Sequence, residues 1–201
     1  EIAEVSPNRY YLARDNLAEA ISIATVQFQT QAVHGARNAG RTVLKETAAA
    51  LAALRGYGLD LVVTCEGIES CGQALDAAEE LRRPGPFLRM YADFAVAERC
   101  HVAGSVKLRE GRDVYNSIAF VGPDGAMLGA YHKTNLTDGE REQGLRCGPG
   151  AVTIDTAIGR LGGVVCFDLN FEHLRREYRA LKPDILCFSS MYHGGLMQNL
   201  W

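Results

Sequence analysis

The chain has 201 residues, which is enough for one large domain whose hydrophobic core needs no metal or disulfide to support it. Its 21 Lys and Arg against 24 Asp and Glu leave a net charge of -3, so no strong field attracts nucleic acid or an anionic membrane. Six cysteines, three of them in apolar runs (Cys65, Cys100 and Cys187), indicate reduced core thiols and a cytoplasmic location. The expected partner is a small molecule.

The apolar pattern predicts helices and strands in alternation at both ends of the chain and a β-rich middle. Residues 1–20 are polar without a clear period, and we interpret them as an N-terminal extension to a domain at 21–201. Strands are predicted at 21–28, 59–65, 101–107, 114–121, 126–131, 152–155, 161–166 and 184–189. Helices are predicted at 43–54, 73–83, 87–99 and from Phe171 to Pro183. This order indicates an α/β fold or a layered α-β-β-α sandwich.

Three polar side chains follow predicted strands directly. Glu66 ends an apolar strand, Lys133 opens a long polar loop over 132–150, and Cys166 lies between a strand and a predicted helix. A helix N-terminus beside Cys166 would lower the pKa of its thiol. Each residue alone has an ordinary structural interpretation, as a cap, a solvated lysine or a small core cysteine. Together, a thiol, a carboxylate and a cation are the groups that acyl transfer from an amide requires.

The segments around these residues resemble the three motif regions of the nitrilase superfamily, in sequence and in order. They are Asp60-Leu-Val-Val-Thr-Cys-Glu66, Tyr131-His-Lys133-Thr-Asn-Leu136 and Gly163-Val-Val-Cys166-Phe-Asp168. The resemblance extends over about 21–201 and implies the α-β-β-α sandwich of that superfamily.

The resemblance also implies roles for individual residues. Cys166 would be the nucleophile, Glu66 the general base and Lys133 the cation that stabilises the tetrahedral oxyanion. The backbone N–H of Phe167 would complete the oxyanion hole. A second glutamate commonly follows the lysine in this superfamily and positions it.

For that second glutamate, the resemblance favours Glu142, with Glu140 as the alternative. Asp168, two residues after the nucleophile, resembles the amidase and carbamoylase branches, so we expect hydrolysis of an amide or N-carbamoyl bond. Tyr192 and His193 follow a predicted strand end and would shape the substrate pocket together with Asp168. A structural turn explains Tyr192 and His193 equally well.

Four alternatives remain open at this stage. The same three residues could hydrolyse a nitrile, or the domain could be a catalytically silent binding or scaffold unit. A cysteine–histidine hydrolase using Cys166 and His193 would lack an acid to orient the histidine. A zinc site at Cys65 and Cys71 would lack a second ligand pair at usable spacing. We therefore expect neither a metal nor a cofactor.

The resemblance further implies a longer polypeptide that associates as a homodimer or a higher homo-oligomer. Complete domains of this superfamily continue past the position of Trp201, so the C-terminal part of the domain would be missing here. The predicted strand at 184–189 would then be close to the last strand of the chain.

Overall fold

The computed structural model of the chain describes residues 7–11, 20–26, 39–67 and 75–191. The strands are β1 (Pro7–Tyr11), β2 (Ala20–Val26), β3 (Leu61–Thr64), β4 (His101–Glu110), β5 (Asp113–Val121), β6 (Met127–His132), β7 (Thr153–Thr156), β8 (Gly159–Val165) and β9 (Ile185–Ser189). The α-helices are α1 (Ala39–Ala53), α2 (Pro86–Glu98), α3 (Asp138–Glu142) and α4 (Glu172–Leu181), and two 3-10 helices span Leu75–Ala77 and Cys166–Asn170. Within these residues, no helix combines the length and the apolar character that crossing a bilayer requires.

The strands form two sheets. The larger sheet has the order β1-β2-β3-β4-β5-β6, with parallel pairing from β2 to β4 and antiparallel pairing at β1-β2, β4-β5 and β5-β6. The smaller sheet has the order β7-β8-β9, in which β8 is antiparallel to β7 and parallel to β9. Two antiparallel steps restore the strand direction, so β3 and β6 run the same way.

The alternation of side chains along each strand divides the core into two parts. Helices α1 and α2 cover one face of the larger sheet, through a buried cluster that includes Val43, Leu51, Phe87, Tyr91, Val62 and Val102. The other face packs against the smaller sheet, through a second cluster that includes Leu61, Val63, Phe120, Tyr131, Leu161 and Val164. The same cluster takes in Leu174 and Tyr178 of α4.

Two neighbouring glycines of β8 show that α4 lies on the far side of the smaller sheet. A Cβ at Gly162 would meet Tyr178 of α4, whereas a Cβ at Gly163 would meet Tyr131 of β6. Successive residues of a strand point to opposite faces. The layers are therefore helix, sheet, sheet and helix, which confirms the predicted α-β-β-α sandwich.

Most predicted elements are present, and the strands predicted at 114–121 and 126–131 correspond to β5 and β6, which pair antiparallel. The helix predicted at 73–83 is wrong for its described residues, which form only the short 3-10 helix Leu75–Ala77 and isolated bridges. Glu79 explains the difference, because its carboxylate accepts hydrogen bonds from the first backbone N–H groups of α2, at Phe87 and Leu88. The polar segment at 1–20 contains β1, which extends the larger sheet beyond β2.

Candidate active site

The three residues singled out in the sequence lie at strand ends and surround one cavity. Glu66 follows β3, Lys133 follows β6 and Cys166 follows β8. The cavity has a volume of about 300 Å³ and is lined by Glu66, Gly67, Lys107, Asn116, Lys133, Thr137, Glu140, Gln143, Leu145, Cys166 and Met191. The fold thus brings the predicted thiol, carboxylate and cation together from both sheets.

Lys133 is buried between two carboxylates. Its Nζ donates to Glu66 Oε1 at 2.8 Å and to Glu140 Oε2 at 2.9 Å, with only 1% of the lysine exposed. Burial lowers the pKa of Lys133, but the charges and hydrogen bonds of the two glutamates outweigh it and raise the pKa overall. The lysine is therefore a permanent cation at neutral pH and cannot serve as a base.

The second glutamate beside Lys133 is Glu140, so the expectation that favoured Glu142 is corrected. Glu142 is exposed at the end of α3 and makes no contact with Lys133. A capping box at the start of α3 holds the Glu140 side chain in this position. In it, Glu140 Oε2 accepts hydrogen bonds from Thr137 N at 2.8 Å and from Thr137 Oγ1 at 2.9 Å. Burial raises the pKa of Glu140. The charge of Lys133 and the donated hydrogen bonds lower it by more, so the pKa lies below the ordinary value of a glutamate.

Cys166 occupies a sharp turn between β8 and the 3-10 helix Cys166–Asn170. Its φ of 43° is unusual for a residue with a side chain and indicates a backbone held in place by its surroundings. The sequence predicted a helix dipole that lowers the thiol pKa, but α4 begins only at Glu172. Burial instead raises the pKa of Cys166, and the charge of Glu66 and a hydrogen bond to it add to the rise. Cys166 is therefore a thiol with a carboxylate beside it.

The other predicted site residues have different outcomes. Asp168 is fully buried and is not among the described residues that line the cavity, and its place in the substrate pocket stays a prediction. Its carboxylate accepts hydrogen bonds from Tyr131 Oη at 2.7 Å and Asn135 N at 2.7 Å, which fixes the turn. The backbone N–H of Phe167 belongs to the first turn of a 3-10 helix, where N–H groups lack intrahelical partners. Tyr192 and His193 lie outside the described residues.

Sequence reasoning missed one residue at the centre of the site. Asn116 of β5 is 95% buried, that is, 5% exposed, and its Nδ2 donates to Glu66 Oε1 at 2.9 Å and to Glu140 Oε1 at 2.8 Å. A signal was available, because an asparagine inside an apolar strand is unfavourable unless its amide has partners.

The four-layer sandwich with this set of side chains is the architecture of the nitrilase superfamily. A model of the family described as carbon-nitrogen hydrolase matches residues 22–201, and the chain belongs to that family. Omega-amidase NIT2 of Danio rerio is 26% identical over 187 residues, which are 85% of this chain and 63% of that protein. The chain spans less than two thirds of the length of the curated relatives it matches.

Solved structures show the same fold. Nit3 of Saccharomyces cerevisiae, a member of branch 10 of the nitrilase superfamily, superposes with a TM-score of 0.75 at 19% identity, covering 94% of this chain and 70% of that one. A mutant amidase of Nesterenkonia sp. AN1, with acrylamide added at its active-site cysteine, superposes with a TM-score of 0.70 at 16% identity, covering 89% of this chain and 70% of that one.

Proposed function

We propose that the protein hydrolyses a non-peptide amide or N-carbamoyl C–N bond through a thioester on Cys166. The observation that carries this proposal is the buried cluster in which Glu66 contacts both the Cys166 thiol and Lys133 beside one cavity. A thiol with a raised pKa needs a base at the moment of attack, and a carboxylate within hydrogen-bonding reach can serve as that base.

The proposed reaction uses Glu66, Cys166 and one water molecule. Glu66 takes the thiol proton as the sulfur of Cys166 forms a bond to the carbonyl carbon. The C–N bond then breaks, and Glu66 returns the proton to the departing nitrogen, so that ammonia or an amine leaves. Water attacks the thioester after giving a proton to Glu66, and that proton restores the thiol as the acid product departs.

Lys133 is suited to stabilise the charge that develops on the carbonyl oxygen. Its ammonium has three hydrogens, of which one is donated to Glu66 and one is shared by the two Glu140 oxygens, at 2.9 and 3.0 Å from Nζ, so the third can be donated to the oxyanion. The backbone N–H of Phe167 would supply a second donor to the oxyanion. Such donors act mainly in the transition state, when negative charge appears on the oxygen.

An amide is our preferred substrate because several relatives are amidases, while a probable nitrilase of Schizosaccharomyces pombe and Nitrilase 1 of Arabidopsis thaliana are relatives too. The Danio rerio relative is an omega-amidase, and the Nesterenkonia protein is an amidase whose active-site cysteine reacts with acrylamide. A silent scaffold would have no need to keep a buried lysine between two carboxylates, because such an arrangement adds little stability over apolar packing. Nitrile hydrolysis by the same residues remains the alternative that a substrate panel decides.

The test is ammonia release from a panel of primary amides, N-carbamoyl compounds and nitriles. Cys166→Ala is expected to remove turnover of any substrate found, because no other group can form the thioester. Cys147→Ala is the matched control, since Cys147 is an exposed free thiol and does not line the cavity. Turnover that persisted in Cys166→Ala but fell in Cys147→Ala would contradict the mechanism.

The cytoplasmic location and the homodimer or higher homo-oligomer stay predictions of this proposal. Light scattering of the full-length protein measures the subunit number directly. A monomer with full activity would show that association is not needed for the reaction.

A further inference from the structure

Asn116 interrupts the apolar pattern of β5 at the point where the strand passes the candidate active site. Its neighbours on the strand include Val114 and Ile118, which are buried and apolar. The backbone carbonyl of Asn116 accepts a hydrogen bond from Lys133 N at 2.8 Å, so the strand pairing itself sets the asparagine beside the lysine. The side chain is consequently directed at the same carboxylates as Lys133.

The amide of Asn116 and the ammonium of Lys133 bind the same two oxygen atoms. Glu66 Oε1 accepts from Nδ2 at 2.9 Å and from Nζ at 2.8 Å, and Glu140 Oε1 accepts from Nδ2 at 2.8 Å and from Nζ at 3.0 Å. The four atoms form a closed ring of alternating donors and acceptors. Both hydrogens of the amide are used, one for each glutamate.

The orientation of the amide is fixed by this ring. If the amide were flipped, its oxygen would face two carboxylate oxygens at hydrogen-bonding distance, which is repulsive. In the observed orientation, Oδ1 is buried and accepts no hydrogen bond from the described part of the chain. A buried acceptor without a partner is unfavourable, so the orientation is set by the demand of the two carboxylates for donors.

The carboxylates of Glu66 and Glu140 lie close enough to repel each other, and the neutral amide of Asn116 donates a hydrogen bond to each of them. The two carboxylates both bind the ammonium of Lys133, and like charges at this distance favour protonation of one of them. Hydrogen bonds donated to a carboxylate favour its ionised form. The titratable groups around the asparagine are Glu66 after β3, Lys107 on β4, Lys133 after β6, Glu140 on α3 and Cys166 after β8.

We propose that Asn116 is a positioning residue that holds the carboxylates of Glu66 and Glu140 on either side of Lys133 and keeps Glu140 ionised. The inference rests on the proposed function only in giving Glu66 and Lys133 their roles in the reaction. Asn116 donates both of its amide hydrogens to the two glutamates and acts through them.

If this role is right, loss of the Asn116 amide shifts the acid side of the kcat/KM profile, here called the acid limb, to higher pH. Removing the amide donor raises the pKa of Glu140, which the charge of Lys133 and the hydrogen bonds from Lys133 and Asn116 hold below the ordinary value of a glutamate. The ion pair of Glu140 with Lys133 therefore forms only at higher pH. Loss of one hydrogen bond to a charged group corresponds to a shift of about one pH unit. Above the shifted limb, the rate is expected to recover towards that of the unmodified protein.

The experiment compares Asn116→Leu and Asn116→Asp with the unmodified protein. Leucine has a similar size and donates nothing, while aspartate keeps the shape but adds a third carboxylate. The midpoint pH of the acid side of the kcat/KM profile is therefore expected to increase from the unmodified protein to Asn116→Leu and further to Asn116→Asp. Ser117→Ala is the control, because Ser117 is equally buried on the opposite face of β5 and bonds to His132.

A second readout does not depend on turnover. In protein labelled with ¹³C at the glutamate carboxyl carbon, the chemical shift of Glu140 reports its ionisation as pH is varied. An upward shift of the Glu140 titration in the two Asn116 variants, but not in Ser117→Ala, supports the proposal. It would do so even if no amide were hydrolysed, an outcome that would contradict the proposed function alone. Titrations and acid limbs unmoved in both variants, with activity lowered equally at every pH, would overturn it.

Discussion

A thiol that is buried beside a carboxylate keeps its proton more tightly than a free cysteine does, and Cys166 is in this position. In the proposed mechanism, Glu66 therefore has two opposite effects on Cys166. Its charge opposes formation of the thiolate in the resting site, and its carboxylate would accept the proton when the sulfur attacks. These two effects can be separated by one substitution.

Glu66→Gln is expected to lower the pKa of Cys166 while removing catalysis. Burial still raises that pKa in the variant, but the added rise from the carboxylate charge is gone. Alkylation of Cys166 by iodoacetamide at pH 7, followed by peptide mass spectrometry, should become faster. Hydrolysis should fall by about 10²–10⁴-fold, the usual contribution of a general base. Slower alkylation together with lost turnover would show that Glu66 promotes formation of the thiolate already in the resting site, contrary to this expectation.

Lys133→Met tests the buried cation. The substitution leaves the ionised Glu66 and Glu140 without a counter-charge, so we expect a loss of about 3–5 kcal/mol of unfolding free energy. Hydrolysis should fall by about 10²–10³-fold, the contribution of one oxyanion donor. The double variant with Glu140→Gln should recover part of the stability and none of the rate. Full recovery of the rate would contradict the role of Lys133.

The pH dependence of that stability loss has a definite sign. In the unmodified protein, the lowered pKa of Glu140 contributes stability above the ordinary pKa of a glutamate, and this is lost as pH falls through the lowered value. Without Lys133, the burial that raises the pKa of Glu140 is no longer outweighed by the lysine charge, so Glu140 binds a proton more readily than in the unfolded chain. Denaturation of Lys133→Met should accordingly show a larger deficit at pH 8 than at pH 5.

At the level of single residues, the sequence predicted the groups that stand at strand ends and missed those that depend on register. Glu66, Lys133 and Cys166 were found because a charged or reactive residue after an apolar strand is conspicuous. Asn116 came to the site through the pairing of β5 with β4 and β6, and a single strand pattern contains no register. Glu140 could have been chosen from its capping box with Thr137, which is a sequence signal.

Among the elements, the turn after β8 and the loop after β6 are joined by one buried side chain. Asp168 Oδ2 accepts from Tyr131 Oη at 2.7 Å and from Val165 N at 3.2 Å, and Oδ1 accepts from Asn135 N at 2.7 Å. Tyr131 and Asn135 flank Lys133 in sequence. Asp168 therefore fixes the position of the turn that carries Cys166 relative to the loop that carries the cation.

Asp168→Asn is expected to lower kcat more than it raises KM, because Asp168 lies behind the site. One acceptor becomes a donor that faces other donors, and we expect a loss of about 2 kcal/mol of unfolding free energy. Burial raises the pKa of Asp168 more than its hydrogen bonds lower it. The free energy of unfolding of the unmodified protein therefore decreases as pH rises from the ordinary pKa of an aspartate to the raised value. Asp168→Asn should lack this decrease.

The control for this variant is Asp155→Asn, the same chemical change at an exposed position where Asp155 pairs with Arg160. An exposed ion pair contributes about 0–1 kcal/mol, so denaturation and kinetics should change little. Equal effects of the two substitutions would contradict the assigned part of Asp168.

The helix predicted at 73–83 shows how contacts between residues distant in sequence override a local apolar pattern. Residues 75–83 have an apolar spacing that suits a helix, yet the backbone of Glu79 pairs with Lys107 and Arg109 of β4. The carboxylate of Glu79 also caps α2. These non-local contacts satisfy the backbone groups that a helix would otherwise satisfy, and no window of the sequence contains them.

In the whole molecule, the distance between the two sheets determines whether the site is assembled, because Glu66, Asn116 and Lys133 come from the larger sheet and Cys166 from the smaller. Gly163 of β8 lies at the contact between the sheets. A Cβ there would lie 2.7 Å from Tyr131 Cβ and 3.0 Å from Tyr131 Cγ. A Cβ is fixed to the backbone of its strand, so no change of rotamer can relieve this overlap.

Gly163→Ala is therefore expected to push β8 away from β6 and to reduce both stability and turnover. Overpacking of a well-packed core typically costs about 1–3 kcal/mol, which urea denaturation measures. Turnover should fall further than the folded fraction, because Cys166 is three residues after Gly163 and Lys133 is two residues after Tyr131. Gly139→Ala is the matched control, since a Cβ there meets nothing within 4 Å. If Gly163→Ala kept the stability and the kcat of that control, the separation of the sheets would not govern the assembly of the site.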